Sequence, residues 1–183
     1  MKQVEDGEIL SKFSVEKTQN EAFNLLLQKY QQKIYWHIRR LVIDHDDADD
    51  LVQETFVKVW KNLHNFRSDS QLYTWIYRIA TNESITFLNK KKNRNNISLD
   101  EVNSELAETL ASSTHFDGDK IQRKLQQAIL TLPEKQRIIF NMKYFDDMKY
   151  EEISAVLGTT VGALKASFHI AVKKIETILL NQD

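Results

Sequence analysis

Apolar residues recur every three or four positions along most of the chain, a spacing that predicts helices rather than strands. Over residues 21–43 the stripe is Phe23, Leu26, Leu27, Tyr30, Ile34 and Ile38, and Val52, Phe56, Val59 and Leu63 repeat it in the next segment. A third helix over residues 71–89 sets Leu72, Trp75, Ile76, Ile79 and Phe87 on or near its buried side. These three helices make a first domain, residues 21–94, behind a leader of residues 1–20. Residues 95–118 are polar and acidic, with weak periodicity only around Val102, Leu106 and Leu110, and read as a flexible linker. Patterning resumes at Lys120 with Ile121, Leu125, Ala128 and Ile129. Pro133 then suits the first turn of a new helix, capped by Thr131 or Leu132, that carries Ile138, Ile139, Met142 and Phe145. One proline and four glycines are too few breakers for a sheet-and-turn architecture, so the expectation is an all-α protein of two small helical domains, the second over residues 119–183.

Near the C-terminus two helices follow each other closely. Residues 150–158 form a short amphipathic helix with Ile153 and Leu157 buried, ended by Gly158, which is free to take the left-handed conformation. Thr159 and Thr160 offer an N-cap to a helix over residues 161–176, whose Val161, Leu164, Phe168, Val172 and Ile175 share one side. The other side presents Lys165, Ala166, Ser167, His169, Lys173 and Lys174. In a helix-turn-helix that face enters the major groove. An ordinary helical hairpin has the same local pattern, so the decision falls to the rest of the chain.

Net charge is −1, but the charges are segregated. Asp44, Asp46, Asp47, Asp49, Asp50 and Glu54 stand together without a lysine or arginine among them. From residue 58 to 94 the bases Lys58, Lys61, Arg67, Arg78, Lys90, Lys91, Lys92 and Arg94 meet only Asp69 and Glu83, a balance suited to phosphates. Residues 97–119 are again acidic. Asp47, Asp50 and Glu54 share one helix face with Gln53 beside them; carboxylates at a helix start are also favoured by the helix dipole. The aspartates of residues 46–50 match the magnesium-holding motif of helical isoprenoid synthases as well. That enzyme reading needs a second acidic cluster on a facing helix and a large apolar cavity, and neither helical segment is long enough for both. His37, His45, His64, His115 and His169 have no ligand spacing, and neither a glycine-rich phosphate loop nor a nucleophile elbow is found, so no metal or other cofactor is expected. The absence of cysteine is compatible with a reducing compartment. The first residues lack the apolar core of a signal peptide, and no apolar run approaches the ~20 residues that span a bilayer. The expectation is a cytoplasmic protein without membrane insertion.

Residues 66–82, FRSDSQLYTWIYRIATN, mix aromatics and bases. Rings interleaved with arginine suit unpaired bases, which stack on aromatic faces while the backbone follows positive charge. Trp75 and Ile79 also lie on the core stripe, whereas Phe66, Tyr73, Tyr77, Arg78 and Asn82 are less easily explained as core. Thr74, Arg78 and Asn82 recur every four residues as a second face.

Taken in order, DADDLVQETF at 47–56, FRSDS to TWIYRIA within 66–80, LPEKQR at 132–137, YEEI at 150–153, and LG with VGALK from 157 to 165 resemble bacterial sigma-70-family factors of the extracytoplasmic function group. The likeness runs from about residue 21 to 178. It implies a sigma region 2-like bundle and a sigma region 4-like helix-turn-helix that direct core RNA polymerase to promoter DNA, with no catalysis by the chain. On it, Asp50, Gln53 and Glu54 match positions that dock on the clamp helices of the polymerase β′ subunit. Phe66 and Asn82 match the pocket for an extruded base of the minus-ten element, with residues 67–71, Arg67 first, as its loop; Trp75, Tyr77 and Arg78, with Tyr73 beside them, match the melting helix. Lys165, Ala166 and His169, with Thr160, Ser167 and Lys173, fall on the helix that reads the minus-thirty-five duplex. The β flap and an anti-sigma factor are further candidate partners. Many relatives carry a basic residue, serine and arginine at 165–167 and another base near 172; Ala166, Ser167 and Val172 reduce those contacts here. A stand-alone helix-turn-helix regulator is the alternative, but it has no use for the acidic face or the aromatic platform.

Overall fold

The structure is a computed structural model and describes residues 4–95, 99–112 and 120–181. Among these residues the chain forms nine α-helices, two short 3-10 turns and no strand. They are α1 Asp6–Phe13, α2 Gln19–Val42, α3 His45–Asn62, α4 Leu72–Asn95, α5 Leu99–Ser112, α6 Lys120–Leu130, α7 Glu134–Tyr144, α8 Tyr150–Leu157 and α9 Val161–Leu180. No single helix among them is long and apolar enough to cross a membrane.

The stripe of α2 buries Leu26, Tyr30, Ile34 and Ile38, while Phe23 and Leu27 are half-buried at its edge. Helix α2 ends at Ile43, which is fully buried with φ +66°, a conformation that costs a β-branched residue about 1–2 kcal/mol. The corner lets Asp44 begin α3 at once, its carboxylate accepting the Asp47 amide at 3.0 Å. Helix α4 then crosses α2 and α3, burying Leu72, Ile76, Tyr77 and Ala80. Thr74, expected on an exposed second face, is also buried; Arg78 and Asn82 of that face are exposed.

Three segments depart from the sequence-based expectation. The leader contains α1, which packs on α2 through Ile9 and Phe13; Phe13 stands edge-on to Trp60 at 5.3 Å. The stretch expected to be a flexible linker is helical over Leu99–Ser112, and Leu106 and Leu110, two of its three weakly periodic positions, are buried against the first domain's core. Leu, Glu and Ala, all good helix formers, make up much of α5, and that contact buries one side of it. The remainder of the expected linker, at 96–98 and 113–119, lies outside the described residues, as do residues 1–3 and 182–183. Pro133 is the N-cap of α7, one position before the first turn; its ψ of 143° is the extended value a cap requires.

The second domain has two apolar centres. Ala128, Ile129, Leu132, Phe140, Ala171 and Ile175 form one between α6, α7 and α9. The other faces of α7 and α8, including Ile139, Met142, Ile153 and Val156, join the first domain's core as α7 packs on α2 and α8 on α4. Val156, not Leu157, is therefore the buried partner of Ile153, and Leu157 is half-buried.

Candidate nucleic-acid interface

Beside α4 lies an open cleft of 340 Å³ lined by Lys58, Asn62, Asn65, Trp75, Ile79, Asn82 and Glu83. Its aromatic wall is Trp75, half-buried, with the Phe66 ring tilted against it at 5.4 Å. Exposed Asn82, Asn62 at the end of α3 and Asn65 in the turn after it supply amide edges, and the Lys58 ammonium reaches the Glu83 carboxylate at 2.5 Å. A flat apolar wall with amide groups around it has the chemistry to hold a planar base, stacking on the ring and hydrogen-bonding at its edge. Phe66, Trp75 and Asn82 were legible in the sequence. Lys58 is one of the bases suited to phosphates, whereas Asn62 and Asn65 carry no such signal, although a spacing of four and three sets all three on one face of the chain leaving α3.

Arg67 is exposed on the loop before α4, where Ser68 takes φ +58°. On the next turn of α4, the Tyr73 and Tyr77 rings are tilted against each other at 4.4 Å, and Tyr77 is 1% exposed. Burial raises the Tyr73 hydroxyl to about 12 and pushes Tyr77 up as well, so both phenols remain neutral donors. Arg78 is exposed, but its guanidinium donates to the Ala155 carbonyl of α8, with Nε at 3.0 Å. Tyr73, Tyr77 and Arg78 thus sit together at a seam with the second domain, apart from the Trp75 cleft.

The acidic face is exposed on α3 at Asp50, Gln53 and Glu54. Asp47 lies further in; burial first, then the neighbouring Asp44, raises its pKa. Gln53 also borders an apolar cleft of 410 Å³ that includes Phe56, Val57 and Trp60, with Val57 51% exposed.

In the second domain the chain turns through 103° between α8 and α9, within the ~90–120° of a helix-turn-helix. Gly158 makes that turn at φ +63°, its amide bonded to the Ser154 carbonyl at 2.9 Å. The Thr160 hydroxyl caps α9 by accepting the Ala163 amide. Leu164, Ala171 and Ile175 are buried, while Val161, Phe168 and Val172 are half-buried. Thr160, Lys165, Ala166, His169 and Lys173 are exposed, with Ser167 half-buried among them. The Lys165 and Lys143 ammonium groups stand 5.7 and 5.4 Å from the Tyr150 ring centre, a basic pair of which the sequence pattern marks only Lys165, because Lys143 belongs to the preceding helix.

A helical bundle with an aromatic, amide-lined cleft, followed by a helix-turn-helix with a small-and-basic outward face, defines a two-domain DNA-reading protein. The comparisons agree on its family. Residues 26–94 match the model for Sigma-70 region 2, and residues 122–175 that for Sigma-70, region 4. The chain is 34% identical over 175 residues to the RNA polymerase sigma-H factor of Pseudomonas aeruginosa, covering 90% of each. It is 32% identical over 170 residues to the ECF RNA polymerase sigma-E factor of Escherichia coli K12, covering 88% of each. The fold resembles that of the sigma factor RpoE in complex with the anti-sigma factor NepR from Bartonella quintana, with TM-score 0.68 and 21% identity over 86% of this chain and 96% of that one. It also resembles CnrH in complex with the cytosolic domain of CnrY, with TM-score 0.69 and 23% identity over 97% and 98%. The protein belongs to the extracytoplasmic function group of the sigma-70 family. Its function is that of a sigma factor: it binds core RNA polymerase and directs transcription initiation at promoter DNA.

Proposed function

We propose that the sigma activity is divided among three surfaces of this chain. Asp50, Gln53 and Glu54 meet the basic side of the polymerase β′ clamp helices. They are exposed, so charge pairing there needs no burial of an isolated carboxylate. Phe66, Arg67, Trp75 and Asn82, with Tyr73, Tyr77 and Arg78 on the adjoining turns of α4, open the minus-ten element and retain an extruded base. Thr160, Lys165, Ala166, Ser167, His169 and Lys173 face the minus-thirty-five duplex. The Thr160 hydroxyl already caps α9, so its contribution is to hold the helix N-terminus toward a phosphate. The second domain also rests on the β flap.

The observation that carries this reading is the cleft between Trp75 and Asn82, because a duplex-only regulator has no use for an aromatic cleft ringed by amide groups. The protein acts in the cytoplasm as a specificity subunit without catalytic chemistry of its own. Since RpoE of B. quintana is found with an anti-sigma factor, the apolar cleft beside Gln53 is the surface where such a partner would compete with polymerase. Run-off transcription with purified core polymerase on genomic fragments tests the whole assignment. Specific transcripts that appear only with the protein are expected; no transcript and no association with core polymerase would overturn it.

A further inference from the structure

Beside the apolar packing of α7 and α8, the turn between them reaches the first domain through Asp146 and the Phe145 ring. Asp146, 109 residues from its partner in sequence, accepts from His37 Nδ1 at 2.9 Å and from Arg40 at 3.0 Å. Its side chain is 5% exposed and that of His37 is fully buried. The other imidazole nitrogen, Nε2, meets the Thr81 hydroxyl at 2.9 Å. Thr81 in turn gives its single proton to the Tyr77 carbonyl at 2.7 Å. The Arg40 guanidinium lies over the Phe145 ring at 4.5 Å. The turn is built to present this carboxylate. The Asp146 amide returns to the Asn141 carbonyl, the Met148 amide to that of Met142, and Asp147 between them takes φ +49°.

The consequence concerns α4. With Asp146 seated, Arg78 is spent on the Ala155 carbonyl and Tyr77 is closed off, although both belong to the surface assigned to the minus-ten strand. Nor does the closed arrangement suit two elements about 25 base pairs apart, which at ~3.4 Å per base pair lie roughly 85 Å from each other. A compact chain of this length has a radius of gyration of only about 16 Å. One closed body does not bridge that distance.

We propose that Asp146, clasped by His37 and Arg40, is an autoinhibitory latch that holds the second domain over the melting face of α4 in the free protein and releases when polymerase separates the domains. The biological role rests on the sigma-factor reading above, but the latch itself does not. Breaking it removes one acceptor from the buried His37 and the half-buried Arg40, so the cost falls on the closed state alone.

The sequence contains no cysteine, so labels can be placed without background. Asn20→Cys and Glu176→Cys, one exposed position on each domain, carry a donor–acceptor pair in the full chain. Energy transfer in the free protein is expected to be high, to fall on adding core polymerase, and to fall without polymerase in Asp146→Asn, which keeps the shape of the side chain. Free Asp146→Asn is also expected to bind a single-stranded minus-ten oligonucleotide more tightly by roughly 5–150-fold, the range of ordinary coupling between sites. As a second variant, Arg40→Cys with Asp146→Cys, joined by a cleavable bismaleimide, replaces the latch covalently. Its run-off transcription should be lost and return on cleavage of the linker. Unchanged energy transfer in a folded Asp146→Asn, or full transcription by the linked protein, would overturn the latch. If no transcript forms even with the unlinked wild type, the sigma reading fails, while the energy-transfer measurement still decides whether the domains are latched.

Discussion

Replacing Trp75 with alanine separates the recognition role of the α4 cleft from its structural one. Complete burial makes a Trp→Ala change cost about 3–5 kcal/mol; with a half-buried indole tilted against Phe66, the cost here should be about 2 kcal/mol. A net stability of about 5–15 kcal/mol absorbs that loss, so the variant folds, with its thermal midpoint lowered by roughly 4–8 °C. The lost base stack is worth about 1–3 kcal/mol. That corresponds to roughly 5–150-fold weaker retention of the minus-ten strand. The assay is fluorescence anisotropy of a single-stranded minus-ten oligonucleotide titrated with the polymerase holoenzyme, beside circular dichroism melts of the free protein. Trp75→Phe keeps a ring against Phe66 and should recover most of the affinity. If Trp75→Ala melts as calculated yet holds the oligonucleotide like the wild type, the cleft does not accommodate a base.

Other substitutions probe the remaining surfaces. Asp50→Lys and Glu54→Lys change exposed groups, so stability should stay within about 0.5 kcal/mol while affinity for core polymerase, read by competition in native gels, drops at least about tenfold. Lys165→Ala should weaken minus-thirty-five binding by about 1–3 kcal/mol and, if its contact is to phosphate, flatten the slope of log affinity against log salt by about 1. Gly158→Ala meets open space but forces a side chain into φ +63°, so chemical denaturation should show a loss of about 1–2 kcal/mol. Gly162→Ala, equally unobstructed but helical, should instead gain about 0.5 kcal/mol, and equal effects at the two glycines would refute the backbone explanation.

Most of the helical framework was legible because its causes are local. Periodic apolar residues located the bodies of α2, α3 and α4, and Gly158 with Thr160 marked the break between α8 and α9, since φ preference and capping act within a few residues of chain. The same short range placed Asp50, Gln53 and Glu54 on one exposed face. Legibility ended where order depends on a distant partner. Helix α5 reads as a linker because its acidic, polar stretch shows only weak apolar periodicity; Leu106 and Leu110 acquire a buried side only in the core that receives them. Helix α1 looked like a leader for a similar reason, although Ile9 and Phe13 already stood one turn apart. Periodicity also exaggerated the free face of α4, because Thr74 turns inward at a crossing that α4 alone does not specify.

The chain by itself therefore determined most of the helices, where the helix-turn-helix bends, and which residues of α3 and α9 face outward, all through interactions between near neighbours. Only the tertiary structure decided that Tyr77 is shut away, that Arg78 is engaged by α8, and that Asp146 finds His37 and Arg40. Those outcomes depend on the packing of whole helices from both domains, which brings together groups more than a hundred residues apart. No periodicity along the sequence encodes such a meeting; it follows from the sum of many buried contacts, which exists only once the helices are docked.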